Sequence, residues 1–502
     1  MSTHELPILI DRRSALPLAA QLATALRTAI LDGTLRRGEP LPSTRALADS
    51  VQLSRGTVVA AYDQLAGEGY LHSTPGSATR VMVERHGAAT VARPPQSDTE
   101  TSSTEPAPPG ATPARQSRDD VAPRPVIDLA PGHPSTRTLV DPAWTAAWRF
   151  AVAASGRSDS PPATGTLQLR AAIADHVRRA RGLTCRPEDV IVTAGTSDAL
   201  AGIGLALTDL AGGGAPAPTH TPRIAVEDPG YPTARRVLRR VGAQLEAVHT
   251  DDHGIDLAGL AALSPSPHAV LVTPSHQYPL GGSLSVQGRL DLLDWARAAD
   301  AVVIEDDYDS EFRFGTAPLP ALATLDTSGR VALVGSFSKT VTPWIRCGYI
   351  VATGDLGRAL RLVRDDLGPS VSGVQQAALA RYLESGGLAR NVTRVRREYA
   401  HRRALVIAKL GPLPGVRLGG LDGGLHVVVH TDGLPGAAGR ADASALVADA
   451  AERGVRVAAL TDYAVLGRGQ HGLVLGYGAP TDLELSRALD VLIDLLTAAA
   501  AH

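Results

Sequence analysis

The chain is predicted to be an α/β protein in two parts: an N-terminal winged helix-turn-helix and a larger body built on a mainly parallel sheet. Three observations point there. Residues 1–85 carry a helix, a short helix, a tight turn, a helix and a β-wing, in that order. From residue 126 to the end, β-type apolar runs alternate with helical stretches, the pattern of a parallel sheet covered on both faces. Between them, residues 86–125 are rich in Pro, Ser, Thr, Ala and Gln and hold almost no large apolar side chains. Such a segment cannot build a core and reads as a flexible, partly extended linker.

In the first part, Leu18, Leu22, Ala25, Leu26, Ala29 and Ile30 recur at helical spacing, and Gly33 stops that helix. Pro42-Ser43 opens a second helix, Thr44 to Val51, with Ser43 as its N-cap. A turn at Gln52-Leu53-Ser54 leads into a third, Arg55 to Gly67, with Val58, Val59, Tyr62 and Leu65 on one face. A hairpin then runs through Pro75-Gly76 to Arg80-Val81-Met82-Val83. In a helix-turn-helix the later helix enters the major groove by its N-terminal end, which here offers Ser54, Arg55, Gly56 and Thr57. Arginine pairs bidentately with guanine, while Ser and Thr reach phosphate or a base edge. Arg45 on the preceding helix and Gly76 at the wing tip are placed for backbone and minor-groove contact. Charge alone favours a plainer alternative: nine basic against eight acidic residues in 1–85 suit a three-helix bundle docked on the larger part.

In the body, the runs Val190-Ile191-Val192, Arg223-Ile224-Ala225-Val226, Ala269-Val270-Leu271-Val272, Ala301-Val302-Val303-Ile304 and Val331-Ala332-Leu333-Val334 each end in a polar or glycine-containing loop. Open α/β sheets bind their ligands at such strand ends. Only two of the 49 basic residues are lysine, Lys339 and Lys409. Lys409, in a basic helical stretch, reads as a solvated surface residue. Lys339, in Gly335-Ser336-Phe337-Ser338-Lys339-Thr340, follows a strand. An amine condenses with an aldehyde and a guanidinium does not, so Lys339 points to pyridoxal phosphate (PLP). A PLP site also needs an acid for the pyridinium nitrogen, a phosphate cradle and a flat group against the ring. Glu305-Asp306-Asp307-Tyr308 offers carboxylates and a phenol for the ring hydroxyl. Thr193-Ala194-Gly195-Thr196-Ser197 is a glycine turn opening a helix whose N-terminus suits phosphate, and Arg346, Ser336 and Ser338 can complete it. Glu227-Asp228-Pro229-Gly230-Tyr231 places a rigid aromatic on a loop. Each piece alone reads as an ordinary turn or solvated loop; four in order, each at a strand end, do not.

At 502 residues the chain has room for two or three domains. A net charge of −2 gives no global pull toward nucleic acid or membrane, so such contacts must be local. Two cysteines make no disulfide framework and suit a reducing cytoplasm. The N-terminus shows no leader pattern and no apolar run reaches membrane-spanning length, so a cytoplasmic location is expected.

Leu41-Pro42-Ser43-Thr44-Arg45-Ala46-Leu47-Ala48, Ser54-Arg55-Gly56-Thr57-Val58 and Ala66-Gly67-Glu68-Gly69-Tyr70-Leu71 resemble the GntR family winged helix. That resemblance implies DNA contacts at Arg45, Ser54, Arg55, Gly56, Thr57 and Gly76. The body resembles fold type I aminotransferases, and the whole chain resembles MocR/GabR-type regulators, which join the two. The sharpest marks are Glu227 to Tyr231, Thr273-Pro274-Ser275-His276-Gln277-Tyr278-Pro279, Glu305 to Phe312 and Ser336 to Lys339. The resemblance implies a PLP-binding large domain at 126–370, a smaller α+β domain at 371–502, and a site shared across a homodimer. It makes Lys339 the Schiff-base lysine, Asp306 the pyridinium partner, Tyr308 the ring-hydroxyl partner and Tyr231 the stacking residue. Thr196, Ser197, Ser336, Ser338 and Arg346 would hold phosphate, and His276 and Gln277 take no assigned role. Two departures stand out. Gly472-Leu473-Val474-Leu475-Gly476-Tyr477 is apolar where aminotransferases carry the arginine for the substrate carboxylate, with Arg468 out of register, and Ser160 stands where they carry a tyrosine. Both weigh against efficient transamination. The expected function is a PLP-dependent regulator of a double-stranded DNA operator, with PLP alone or an amine or amino acid as effector. An active aminotransferase and a PLP-free dimerisation scaffold are the alternatives.

Overall fold

The computed structural model describes residues 8, 10–11, 18–67, 70–72, 78–83, 126–137, 139–154, 156, 159–211, 221–314, 320–434, 443–467 and 471–501. The segment read as a linker, Gly76 and Arg468 lie outside these residues.

Helix α1 spans Leu18–Leu31 and buries Leu22, Ala23, Leu26 and Ile30, one stripe of an amphipathic helix. Helix α2, Thr44–Val51, starts where Ser43 Oγ accepts the Ala46 N–H at 3.2 Å and stops where Gln52 turns left-handed at φ 51°. Helix α3, Arg55–Gly67, is capped by Ser54, whose Oγ accepts the Thr57 N–H at 3.1 Å. Strands Leu71–His72 and Arg80–Val81 pair antiparallel as the wing. One core holds the domain together, including Leu22, Leu26, Leu47, Val58, Leu65 and Val81. Each such side chain contributes about 1.5–3 kcal/mol on burial.

The body is organised on an eight-stranded sheet. Its order is Val190–Thr193, Gly348–Val351, Val331–Ser336, Val302–Asp307, Ala269–Val272, Arg223–Asp228, Gln244–Asp251 and Gly254–Ile255. Five consecutive strands, from Val331–Ser336 to Gln244–Asp251, run parallel. Gly348–Val351 runs against both its neighbours. The chain leaving Ser336 therefore folds back at once, which traps the Lys339 loop at the C-terminal end of the parallel strands. Apolar side chains from both sheet faces are buried under helices, as expected of a sheet whose strands read as continuous apolar runs.

A second, antiparallel sheet orders Arg417–Gly419, His426–His430, Gly472–Gly476 and Ala458–Ala459. Its core draws on helices Gly387–Leu410, Ala443–Glu452 and Asp482–Ala501. Leu129 belongs to that core too, because Ile127–Asp128 pairs in parallel with Val455–Arg456. Conversely, helix Gly373–Glu384 puts Leu379, Ala380, Tyr382 and Leu383 into the core of the large sheet.

Lys409 is not the solvated residue its sequence context suggests. Its Nζ donates to Ser486 O at 3.1 Å and to Asp490 Oδ1 at 2.5 Å, tying helix Gly387–Leu410 to helix Asp482–Ala501. A flexible four-carbon stem lets a half-buried position on one helix reach across to its neighbour. Among the described residues no helix is long and apolar enough to cross a membrane.

Candidate functional site

A cavity of about 570 Å³ opens where the parallel strands end. Lys339, Asp306, Tyr308, Tyr231, Thr196, Ser197, Ser336, Ser338 and Arg346 all line it. Residues up to 150 positions apart in sequence thus meet because each sits at the end of a strand of the sheet or on the connection that follows it.

Asp306 is the penultimate residue of strand Val302–Asp307 and is buried. Its Oδ1 has no hydrogen-bond partner. Burial first, then the nearby charges of Asp307 and Glu227, push its carboxyl up to about 7, and Lys339 acts in the opposite direction. Lys339 Nζ donates to Gly132 O, held by a turn in which Gly132 adopts φ +93°. Removal from water lowers the Lys339 pKa, against the pull of Asp309 and Asp306. A lowered amine pKa is what a nucleophilic lysine requires.

Three features of the cavity lining suit an anion. Thr196 and Ser197 open helix Thr196–Ala211, whose free N–H groups and dipole favour an anion. Ser336 Oγ bonds Ser338 Oγ at 2.9 Å and accepts the Ser338 N–H at 3.1 Å, which sets both hydroxyls on one side of the loop. Arg346 occupies the left-handed region at φ 39°, a conformation costing a side-chain-bearing residue about 1–2 kcal/mol. That strain aims its guanidinium at Gly195, where a Cβ would stand 3.9 Å from Nη1. Strain of this kind concentrates at functional positions.

Tyr231 stands at the start of helix Pro232–Arg240, edge-on to Tyr278 at 5.7 Å and 85°. The loop beneath it is braced by Glu227, which accepts the Thr273 N–H at 3.1 Å and hydroxyl at 2.6 Å and the Gln277 amide at 3.2 Å. Burial raises the Glu227 carboxyl to about 7. Gln277, given no role from sequence, is therefore a brace. His276 is next to the site itself: its Nδ1 lies 3.1 Å from both Asp309 oxygens and 2.8 Å from the Tyr308 hydroxyl. With the ring proton on Nδ1, the imidazole donates toward Asp309 and the Tyr308 oxygen and the phenol can donate elsewhere; with Nδ1 bare, the phenol donates to it.

Sequence reasoning missed Gly132, Arg236, Tyr278, Asp309, His426 and Tyr463 as lining residues. Tyr278 and Asp309 fall inside the motifs already singled out. His426 gave no local signal, because it lies in a buried strand, where burial pulls it down to about 4.

These residues fit PLP. An unpartnered buried carboxylate oxygen matches a pyridinium N–H, a depressed lysine matches an aldehyde, and a helix N-terminus with two seryl hydroxyls and an arginine matches phosphate.

At the other end of the chain, Arg45, Ser54, Arg55 and Gly56 are exposed and Thr57 is half-buried. Ser54 and Thr57 also bond each other at 2.8 Å. Gly56 has open space around its Cα: an added Cβ would meet only Ser54 Oγ, at 3.8 Å. Nothing in the fold requires a glycine there.

Residues 18–81 match the bacterial regulatory proteins of the gntR family, and residues 124–489 match aminotransferase class I and II. The chain is 39% identical to the HTH-type pyridoxine biosynthesis transcriptional regulator PdxR of Corynebacterium glutamicum, over 98% of this chain and 99% of that protein. It is 35% identical to the probable rhizopine catabolism regulatory protein MocR of Rhizobium meliloti, over 80% and 78%. Among solved structures, an archaeal alanine:glyoxylate aminotransferase superposes with TM-score 0.66 at 22% identity, covering 74% of this chain and 91% of that one. The α-aminoadipate aminotransferase LysN of Thermus thermophilus, solved with N-(5'-phosphopyridoxyl)-L-leucine, superposes with TM-score 0.65 at 25% identity, covering 75% and 94%. A GntR winged helix, a fold type I body and one cavity holding the PLP residue set thus occur in a single chain, which belongs to the MocR-type members of the gntR family, PLP-dependent DNA-binding transcriptional regulators.

Proposed function

We propose that PLP is held at Lys339 and that its occupancy, alone or with an amine or amino acid, controls binding of the winged helix to an operator. The observation that carries this reading is the convergence of all nine expected residues on one cavity. Lys339 would offer its amine to the cofactor's aldehyde, Asp306 would keep the pyridine nitrogen protonated, Tyr308 would hold the ring hydroxyl and Tyr231 would supply the flat aromatic contact. Thr196, Ser197, Ser336, Ser338 and Arg346 take the phosphate. When bound, PLP supplies an electrophilic carbon able to exchange one amine for another.

The target genes follow from chemistry and kinship. Strand Gly472–Gly476 is buried and apolar throughout, so it brings no guanidinium to a substrate carboxylate. PLP as its own signal needs no such group, and the similarity to a regulator named for pyridoxine biosynthesis supports genes of PLP supply as targets. On the DNA side, Arg55 reads a base edge, Arg45, Ser54 and Thr57 meet the backbone, and Gly56 lets phosphate approach; Gly76 is proposed as a further DNA contact.

We further propose a homodimer. Trp344 is 93% exposed on the turn between Pro343 and Arg346, both lining the cavity, and Val140 and Val152 are 77% and 62% exposed on or beside helix Pro142–Ala153. Val140 and Val152 line an apolar groove together with Trp144 and Trp148, and a contiguous exposed apolar patch of this kind marks a contact surface. The chain divides into 1–85, a joining segment 86–125, 126–370 and 371–502, with helix Gly373–Glu384 lent to the large sheet.

The test is fluorescence anisotropy of the protein on its own upstream DNA across a PLP titration. A PLP-dependent change in affinity that disappears in Lys339→Ala is the expected result. Unchanged binding across the titration in the wild type would sink PLP as the signal.

A further inference from the structure

His276 and Asp309 fall inside two of the motifs that mark the body, yet neither belongs to the nine residues assigned to the cofactor. Their strands, Ala269–Val272 and Val302–Asp307, are neighbours in the large sheet, and the loops that follow bring the two side chains together. His276 Nδ1 stands 3.1 Å from each Asp309 oxygen and 2.8 Å from the Tyr308 hydroxyl. His276 is 3% exposed and Asp309 1%. The fold reserves the space that they fill. Gly424, at φ +74°, is pinned by its N–H to Phe312 O at 2.9 Å, and its carbonyl accepts the Tyr477 hydroxyl at 2.8 Å. A Cβ there would stand 2.5 Å from Asp309 Oδ2 and closer still to His276 Cε1, so only glycine lets the backbone pass the pair.

Two observations decide which ring nitrogen of His276 carries the proton. A bare Nδ1 would set its lone pair against two carboxylate oxygens in a low-dielectric interior, where such repulsion is strong. The other nitrogen, Nε2, is buried and has no hydrogen-bond partner among the described residues. An N–H at Nε2 would therefore be an unsatisfied buried donor. His426 packs against the ring, centroids 5.2 Å apart, but its own Nε2 donates to Pro279 O at 2.9 Å. The proton thus belongs on Nδ1, directed by Asp309. Tyr308 then receives part of that N–H, and its own O–H turns toward the cavity that it lines.

We propose that Asp309 and His276 are positioning residues for Tyr308: Asp309 fixes the proton on His276 Nδ1, and His276 thereby sends the phenol proton into the cavity, toward the ring oxygen of the cofactor. This role rests on the place of Tyr308 at the ring hydroxyl proposed above. A phenol that donates there stabilises the oxygen as an anion, and so weakens the hold of the neighbouring nitrogen on its proton. Asparagine at 309 keeps the shape of the aspartate but offers an amide N–H to Nδ1. The ring proton then moves to Nε2, and the phenol turns back to donate to Nδ1, the same exchange of tautomers that follows loss of the aspartate behind a triad histidine. The other ionisable groups acting on the phenol are Asp306, Glu227 and Tyr278, with Lys339 lining the same cavity. The lost charge of Asp309 works in the opposite sense, since that carboxylate favours a proton on Lys339 Nζ.

Two readouts on the full-length protein test this role. The first is nitrogen NMR of cofactor-free protein with labelled histidine, the His276 signal being identified by its absence in His276→Asn. Its proton should sit on Nδ1 in the wild type and on Nε2 in Asp309→Asn. A wild-type Nε2–H, or an unchanged tautomer in the variant, overturns the role of Asp309. Should Asp309→Asn lose its cooperative unfolding transition, the wild-type tautomer still decides. The second readout is the pH midpoint of the visible absorbance of PLP-loaded protein, in wild type, Asp309→Asn, Tyr308→Phe and the double variant. Tyr308→Phe should raise the proton affinity about ten-fold, and the shift caused by Asp309→Asn should lie about ten-fold higher with Tyr308 present than without it. Equal shifts in the two backgrounds mean that Asp309 acts through its charge alone, and overturn the positioning of Tyr308. A wild-type protein that shows no visible PLP band defeats the function proposed above, while the NMR result still decides whether Asp309 directs the His276 proton.

Discussion

Replacing Asp306 by Asn isolates the electrostatic cost of keeping a carboxylate ready for a pyridinium. In the cofactor-free protein this carboxyl is pushed from 3.8 to about 7, chiefly by burial. The fold therefore holds the proton more tightly than the unfolded chain does. Its stabilising contribution is complete below about pH 4, falls as pH rises, and is lost once pH passes about 7. Each tenfold in proton affinity is worth about 1.4 kcal/mol, so the full penalty above that range is on the order of 4 kcal/mol. About half of it develops above pH 5.5. Asparagine mimics the neutral acid and carries no such penalty. Urea unfolding of cofactor-free Asp306→Asn and wild type at about pH 5.5 and pH 8 should show the gap in favour of the variant widening by about 2 kcal/mol. Glu227 titrates over a similar range but is present in both proteins. The same variant should bind PLP about 10- to 100-fold more weakly, since a charge-assisted bond to the ring nitrogen is lost. Parallel stability curves for the two proteins would refute the account of Asp306 as a buried, unpartnered carboxyl. Wild-type PLP affinity would refute its assignment to the pyridinium.

Further outcomes follow from the same geometry. Lys339→Ala should remove the borohydride-fixed PLP mass adduct; an adduct that persists places the reactive amine elsewhere. Gly56→Ala should stabilise the winged helix by about 0.5–1 kcal/mol, because a helical glycine is replaced where space allows, yet weaken operator binding; a variant that binds as before removes the close approach assigned to Gly56. Arg55→Ala should lower affinity for the operator by about 1–3 kcal/mol and relax its sequence preference, with the PLP spectrum intact; sequence-specific binding at wild-type strength would move the reading head elsewhere. Arg346→Gly relieves a left-handed backbone while deleting a phosphate contact, so the cofactor-free protein should hold or gain thermal stability as PLP affinity falls; the opposite pattern would make Arg346 a structural residue.

Much of this protein is legible along the chain because the relevant physics is local. Ser43 and Ser54 cap their helices through N–H groups three residues away, and apolar runs end where strands end. The chemical pieces of the cofactor site share that property, each lying at the end of a strand or on the connection after it, so local sequence signals marked them before one cavity brought them together. Tertiary structure alone decided the rest. That Gln277 braces Glu227, that His276 is shared by Asp309 and Tyr308, and that Lys409 reaches Asp490 depend on distances between groups far apart in sequence. Helix Gly373–Glu384 joins the large sheet, and Leu290 closes the core of the winged helix, for the same reason. Periodicity tells that a helix has an apolar face, and only packing tells which element covers it.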